Sequence, residues 1–206
     1  MKTEEGYLKI KELSGRRIKK VDLINKGSAG QEVMTAIGLK NDSRPLDFED
    51  GDLKTNKYLK GEPSETLFIS QIKKMIGEFE HRLEFKNSWI YKKIKQFVYL
   101  PIHKDDDEIH IIGIPKLISE ITQPELYEKL EEDFNFISKE ISECIANKGQ
   151  LSTINGPNYY LQIRTKASKN KKGEYTPFIY NNHQLKDKNM AFYFTIRFLK
   201  VLKNLP

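Results

Sequence analysis

The chain has 206 residues, with 35 Lys and Arg against 29 Asp and Glu, a formal net charge of +6 and a sequence pI of about 9.1. That length suits one domain, and 11 Phe with 10 Tyr can fill a core. No apolar run approaches the roughly 18 residues of a membrane-spanning helix, the charged start MKTEEGYLKIKELSGRRIKK lacks the apolar centre of a secretory signal, and a single cysteine, Cys144, excludes an internal disulfide, so the expected setting is cytoplasmic.

In chain order, residues 8–24 predict a short helix with a connector. GQEVMTAIGL (30–39) has Val33, Met34 and Ile37 at helical spacing, with Gly38 as a stop. RPLDFE (44–49) and DLKTNKY (52–58) read as two extended segments joined at Asp50-Gly51. TLFISQI (66–72) reads as a buried strand, and NSWIYKKIKQ (87–96) as a helix through Trp89, Ile90 and Ile94. FVYLPI (97–102) and IHIIGIPK (109–116) predict central strands, and an amphipathic helix follows from Pro124 to Asn147. NYYLQIRTKA (158–167) predicts a strand, KASKNKKGEYTP (166–177) a polar loop, and AFYFTIRFLKVLK (191–203) an apolar helix or strand. The expected class is mixed α and β, without regular βαβ alternation.

Charge is unevenly spread. Residues 105–143 hold twelve acids against three lysines, whereas residues 161–206 hold ten Lys or Arg against Glu174 and Asp187. A basic segment interleaved with Tyr and Phe suits a polyanion; an ordinary lysine-rich surface has the same composition.

The densest chemistry lies in DFEDGDLK. Asp52 and Lys54 share one face of a strand, and a turn can bring the Asp47 carboxylate beside Asp52. Two carboxylates at close range repel unless a cation lies between them, and hard oxygen ligands select Mg²⁺. Asp47 and Asp52 are therefore candidate metal ligands. Lys54 is placed to orient a water and to stabilise charge developing on a phosphate. A solvated polar turn uses the same residue types, and the spacing alone leaves both readings open. On an extended segment Arg164 and Lys166 also share a face, with Gln162 in line; they can donate to guanine edges or phosphates, or lie on a solvated edge strand.

Four blocks in this order resemble the MutH and Sau3AI-type DNA endonuclease family. They are KGSAGQEVMTAIG (26–38), DFEDGDLKT (47–55) with GEPSETLF (61–68), NSWIYKKIKQFVYLPI (87–102), and YLQIRTKAS (160–168) with AFYFTIRFL (191–199). The resemblance implies a single endonuclease domain over residues 1–206. It would have a restriction-endonuclease-like fold: an α/β core with a central mixed sheet flanked by helices, and two subdomains bordering a DNA-binding cleft. It gives Asp47, Asp52 and Lys54 the catalytic places, and it adds Lys93 near the scissile phosphate. Lys26, Glu65, Arg164, Lys166 and Tyr193 fall in its DNA-contacting positions, Tyr193 near the recognised adenine. Two departures stand out. Asp52 replaces the usual glutamate, and Met34 occupies the place of a supporting glutamate in the first helix. Glu32 is the candidate substitute, although two helical residues turn about 200°.

The activity so implied is Mg²⁺-dependent, sequence-specific cleavage of double-stranded DNA of the type II restriction kind, with GATC as the candidate site and a homodimer on DNA as a candidate assembly. The alternatives are a methyl-directed mismatch-repair nickase working with repair partner proteins, and a MutH-like DNA-recognition module without catalysis.

Overall fold

Runs rich in β-branched and aromatic residues become strands, and the segments with apolar residues every three or four positions become helices. The computed structural model describes residues 1–19, 29–39, 44–167, 169–170 and 172–206. Helix α1 (Thr3–Glu12) and strand β1 (Arg17–Lys19) precede α2 (Ala29–Ala36), β2 (Asp52–Leu59), β3 (Glu62–Pro63) and β4 (Leu67–Gln71). Short helices α3 (Ile76–Glu80) and α4 (Trp89–Ile94) lead to β5 (Gln96–Lys104), β6 (Glu108–Ile111) and β7 (Lys116–Ser119). Then come the long α5 (Pro124–Ala146), β8 (Ile154–Asn155), β9 (Leu161–Thr165), β10 (Phe178–Tyr180), β11 (His183–Lys186), β12 (Met190–Phe194) and α6 (Ile196–Asn204).

The chain forms two compact units. The first comprises Met1–Leu67, Lys93–Gln123 and Leu199–Pro206 and holds a mixed sheet in the order β1-β6-β5-β2-β3, with β7 also paired to β5. Strands β2 and β5 run parallel, and the remaining pairs are antiparallel. Strand β5 is buried on both faces from Phe97 to Ile102, as its nearly continuous apolar run requires. One face carries Leu53, Val98 and Leu100 into a core with Ile10 of α1, Val33 and Met34 of α2, and Ile37 just past α2. Met34 is thus a packing residue.

The second unit, Phe68–Lys92 with Pro124–Phe198, contains the sheet β4-β12-β9-β8 and the hairpin β10-β11. The two loop residues of that hairpin, Asn181 and Asn182, both have positive φ, the backbone that a two-residue turn of primed type needs. Helix α5 buries Phe134 against the rings of Phe79, Phe85 and Phe192. Its Asp133 is fully buried and accepts the amides of Asn158, Tyr160 and Leu161 at 2.6, 2.6 and 2.8 Å. The loop entering β9 comes so close that a Cβ on Gly156 would lie 2.2 Å from the Asp133 carboxyl carbon. Among the described residues no helix is long and apolar enough to cross a membrane.

Several expected boundaries shift. The first helix lies at Thr3–Glu12 rather than within 8–24, and β1 takes part of the remainder. Residues 45–50 are a series of bends, not an extended segment, because their backbone groups bond locally across the turn. The expected strand at 109–116 divides into β6 and β7 around Gly113 and Pro115. The closing apolar segment is strand and then helix, broken at Thr195, whose Oγ1 accepts the amide of Phe198 at 3.2 Å and so caps α6.

Removing the Asp133 carboxylate leaves three amides without their acceptor. Asp133→Ala is expected to cost roughly 3 kcal/mol or more, read as a lowered urea midpoint with the slope unchanged.

Candidate active site

The bent segment before β2 is fixed by reciprocal bonds. The Asp47 amide donates to Asp52 Oδ1 at 3.1 Å, and the Leu53 amide donates to Asp47 Oδ2 at 2.9 Å. Each carboxylate therefore holds the backbone beside the other. Asp50 accepts the amide and hydroxyl of Thr3 at 2.8 and 2.6 Å, which ties the turn to the start of α1. Gly51 is required by close approach, since an added Cβ would meet Thr3 Oγ1 at 2.5 Å and the Gln96 carbonyl oxygen at 2.6 Å.

Strand β2 then alternates. Asp52, Lys54, Asn56 and Tyr58 point to one face, where all four are buried. Lys54 Nζ donates to Asp52 Oδ2 at 2.6 Å. Lys93, near the end of α4, reaches the same carboxylate at 3.0 Å from Oδ2 and 3.2 Å from Oδ1, and also bonds the Pro45 carbonyl. Beyond the lysines, Asn56 Oδ1 accepts from the Tyr99 hydroxyl at 3.3 Å, and the Tyr58 and Tyr99 hydroxyls lie 3.1 Å apart. The strand face is thus a buried polar row with its charged end at Asp52.

Burial alone would raise the Asp52 pKa, but the charges and hydrogen bonds of Lys54 and Lys93 outweigh it and hold the carboxyl below its ordinary value. Asp47 goes the other way: burial first, and then the Asp52 charge, push it up despite the Leu53 amide and the two lysines. A buried carboxylate and a half-buried one, displaced in opposite directions, form an acid pair that a cation would stabilise. Asp47 and Asp52 offer carboxylate oxygens, the donor type a hard divalent ion takes, with its other positions left to water or substrate.

The structure brings Asp47, Asp52, Lys54 and Lys93 together. Glu32 is buried on α2, yet among the described residues no three His, Cys, Asp or Glu side chains form a metal-ligand group, so it does not make a third ligand with the acid pair. Lys26 lies outside the described residues. Glu65 is exposed in the loop between β3 and β4, not in a strand; its carbonyl accepts from Asn56 Nδ2 at 3.0 Å, so backbone rather than carboxylate ties it to β2.

The remaining residues lie in the second unit. On β9, Leu161 and Ile163 point into the core, while Gln162 and Arg164 point outward. The antiparallel register sets Tyr193 of β12 opposite Gln162, and Arg164 lies over the Tyr193 ring at 5.5 Å. Lys166 stands just past β9 with its Nζ 3.4 Å from the centre of the Phe68 ring, and Phe68 packs edge-on against Tyr193 at 5.7 Å. Two cations and two aromatic rings thus interleave on one sheet face. Burial, and then the nearby Lys74, lower the Lys166 pKa; burial raises that of Tyr193, partly offset by Arg164. Phe68 escaped the sequence reading because TLFISQI looks uniformly apolar; the signal was its position between Leu67 and Ile69, which alternation turns the other way.

No protein-family model matches the chain, and a search of curated proteins finds no significant match.

The opposite displacements of the two acids predict opposite effects of neutralising them. Asp52 has its folded pKa below its unfolded value of about 3.9, so its stabilisation is present at neutral pH and is lost as pH falls through the folded pKa. Asp47 has its folded pKa raised, so its ionisation weakens the fold as pH rises through the unfolded value toward the folded one. In chelator at pH 7, Asp47→Asn should therefore stabilise the fold, whereas Asp52→Asn, which strands two lysines, should cost about 3 kcal/mol or more. Chemical denaturation at pH 7 and pH 3 checks both signs.

Proposed function

We propose that this chain is a divalent-metal-dependent, sequence-specific endonuclease acting on double-stranded DNA, with a restriction-endonuclease-like arrangement of its catalytic strand. The carrying observation is the buried Asp52 carboxylate, shared by Lys54 and Lys93 and cross-bonded through the backbone to Asp47. Two acids and two lysines converging on the entry to one strand suit phosphodiester hydrolysis, which needs a cation site and positive charge against a phosphate.

Asp47 and Asp52 would hold Mg²⁺, which when bound polarises the phosphate and acidifies a water. Lys54, fixed against Asp52, orients the attacking water and stabilises charge on the phosphate oxygens. Lys93, the more exposed of the two lysines, holds a phosphate oxygen. Attack of that water on phosphorus with cleavage of the P–O3′ bond, the departing O3′ taking up a proton from solvent, would leave a 5′-phosphate and a 3′-hydroxyl. Recognition falls to the second unit, where Arg164 and Lys166 present donors for guanine edges or phosphates and Tyr193 and Phe68 supply flat apolar surface. Restriction-type double-strand cleavage requires two such centres or a second binding event, so a homodimer on DNA belongs to this reading.

Supercoiled plasmid, with and without GATC methylation, incubated with Mg²⁺ tests the proposal. Linear or fragmented product is expected, with Lys54→Ala slower by about 10²-fold or more. Nicked circles alone would move the reading to a strand-specific nickase. Binding without cleavage in Mg²⁺ or Mn²⁺ would overturn it in favour of a recognition module. Arg164→Ala should weaken specific duplex binding by roughly 1–3 kcal/mol and relax site preference, whereas Lys166→Ala, if it grips phosphate, should lower the salt slope by about one. Fluorescence anisotropy across a salt series reads both.

A further inference from the structure

An ionised carboxylate offers about four lone-pair positions, and at Asp52 three hydrogen bonds and one further ion-pair contact occupy the space around them. Oδ1 accepts the Asp47 amide at 3.1 Å and Lys93 at 3.2 Å; Oδ2 accepts Lys54 at 2.6 Å and forms an ion pair with Lys93 at 3.0 Å. In this state a cation cannot take an Asp52 oxygen without displacing a donor. Within these four groups the charges of Lys54 and Lys93 match those of Asp47 and Asp52.

The four contacts are not equally easy to break. The Asp47 amide is backbone within a turn locked by Gly51 and Asp50. Lys54 is on the strand itself, with its side chain only 7% exposed. Lys93 is the outlier: its side chain is 17% exposed, and it supplies two of the four contacts. Moving it alone opens a position on each carboxylate oxygen and leaves the acid pair with excess negative charge.

We propose that Lys93 is a latch that excludes the divalent cation from the free protein, and that an arriving phosphodiester releases it by offering its ammonium a new anion. Metal and DNA then bind with positive coupling, and by linkage each tightens the other equally. This extends the reading of the centre as a nuclease and depends on it only for the identity of the anion. The latch also makes Lys93 a positioning residue whose effect appears before any chemistry.

The test is Mn²⁺ binding, followed by the spin-resonance signal of the free ion, with no turnover involved. Without DNA, Lys93→Met is expected to bind Mn²⁺ about tenfold or more tighter than the wild type, within the usual range of coupling between sites. Adding a short phosphorothioate DNA duplex, which resists hydrolysis, should tighten Mn²⁺ binding to the wild type by a similar factor and leave Lys93→Met nearly unchanged. Equal Mn²⁺ affinity of the two proteins without DNA would overturn the latch. So would a duplex that binds the wild type, by anisotropy, without tightening Mn²⁺. A duplex that fails to bind while Lys93→Met still gains affinity would retain the cation-excluding latch and overturn the DNA reading. The wild-type arm needs no variant, so misfolding of Lys93→Met would not remove the test.

Discussion

The first unit is organised around one buried negative charge. Asp52 lies at the head of β2 with 2% of its surface exposed, where an isolated carboxylate would cost far more than folding can spare. Two lysines offset that cost, and their placement dictates much around them. Lys54 must fall two residues along the strand to share the face, and Lys93 must arrive as α4 ends so that β5 can begin at Gln96 and run parallel to β2. Asp52 pairs with Phe97 and Lys54 with Tyr99 in that register, so the charged face of β2 continues onto aromatic rings of β5. A hydrophobic replacement of the ion cluster could well be as stable.

The turn ahead of β2 answers the same constraint from the other side. Burial, and then the neighbouring Asp52 charge, raise the Asp47 pKa, while its carboxylate accepts the Leu53 amide at 2.9 Å. Thr3, Asp50 and Gly51 hold the turn against α1 through two hydrogen bonds and a contact too tight for any side chain on Gly51. A segment without regular secondary structure is thereby given the rigidity of the sheet, as a site made of side chains from both needs. The second unit spends its polar residues differently: Asp133 fastens the entry to β9 from within, and the outward face of that strand is left to Arg164, Gln162 and the aromatic rings beside them.

Much of this is written in the sequence at short range. The period-two alternation of DLKTNKYL puts Asp52 and Lys54 together, and the helical stripe of residues 124–147 fixes α5 to within one residue of its observed end. What escaped depends on long-range partners. The bends at 45–50 are local, but the turn is also tied to the start of α1, where Asp50 accepts the amide and hydroxyl of Thr3, 47 residues away. The break at Thr195 was hidden by the continuous apolar run around it. Phe68 looked like core until its ring was found between Lys166 and Tyr193. The approach of Lys93 to Asp52, 41 residues apart, is not encoded in spacing, and the resemblance of motifs implies only a place for Lys93 near the scissile phosphate.

The most direct test of the centre is a crystal structure with a phosphorothioate DNA duplex and Mn²⁺, located by its anomalous scattering. The account predicts a manganese peak between the Asp47 and Asp52 carboxylates, with Lys93 Nζ on a phosphate oxygen and Lys54 still against Asp52. Duplex bound with no manganese at that pair, and with both lysines on Asp52, would contradict it.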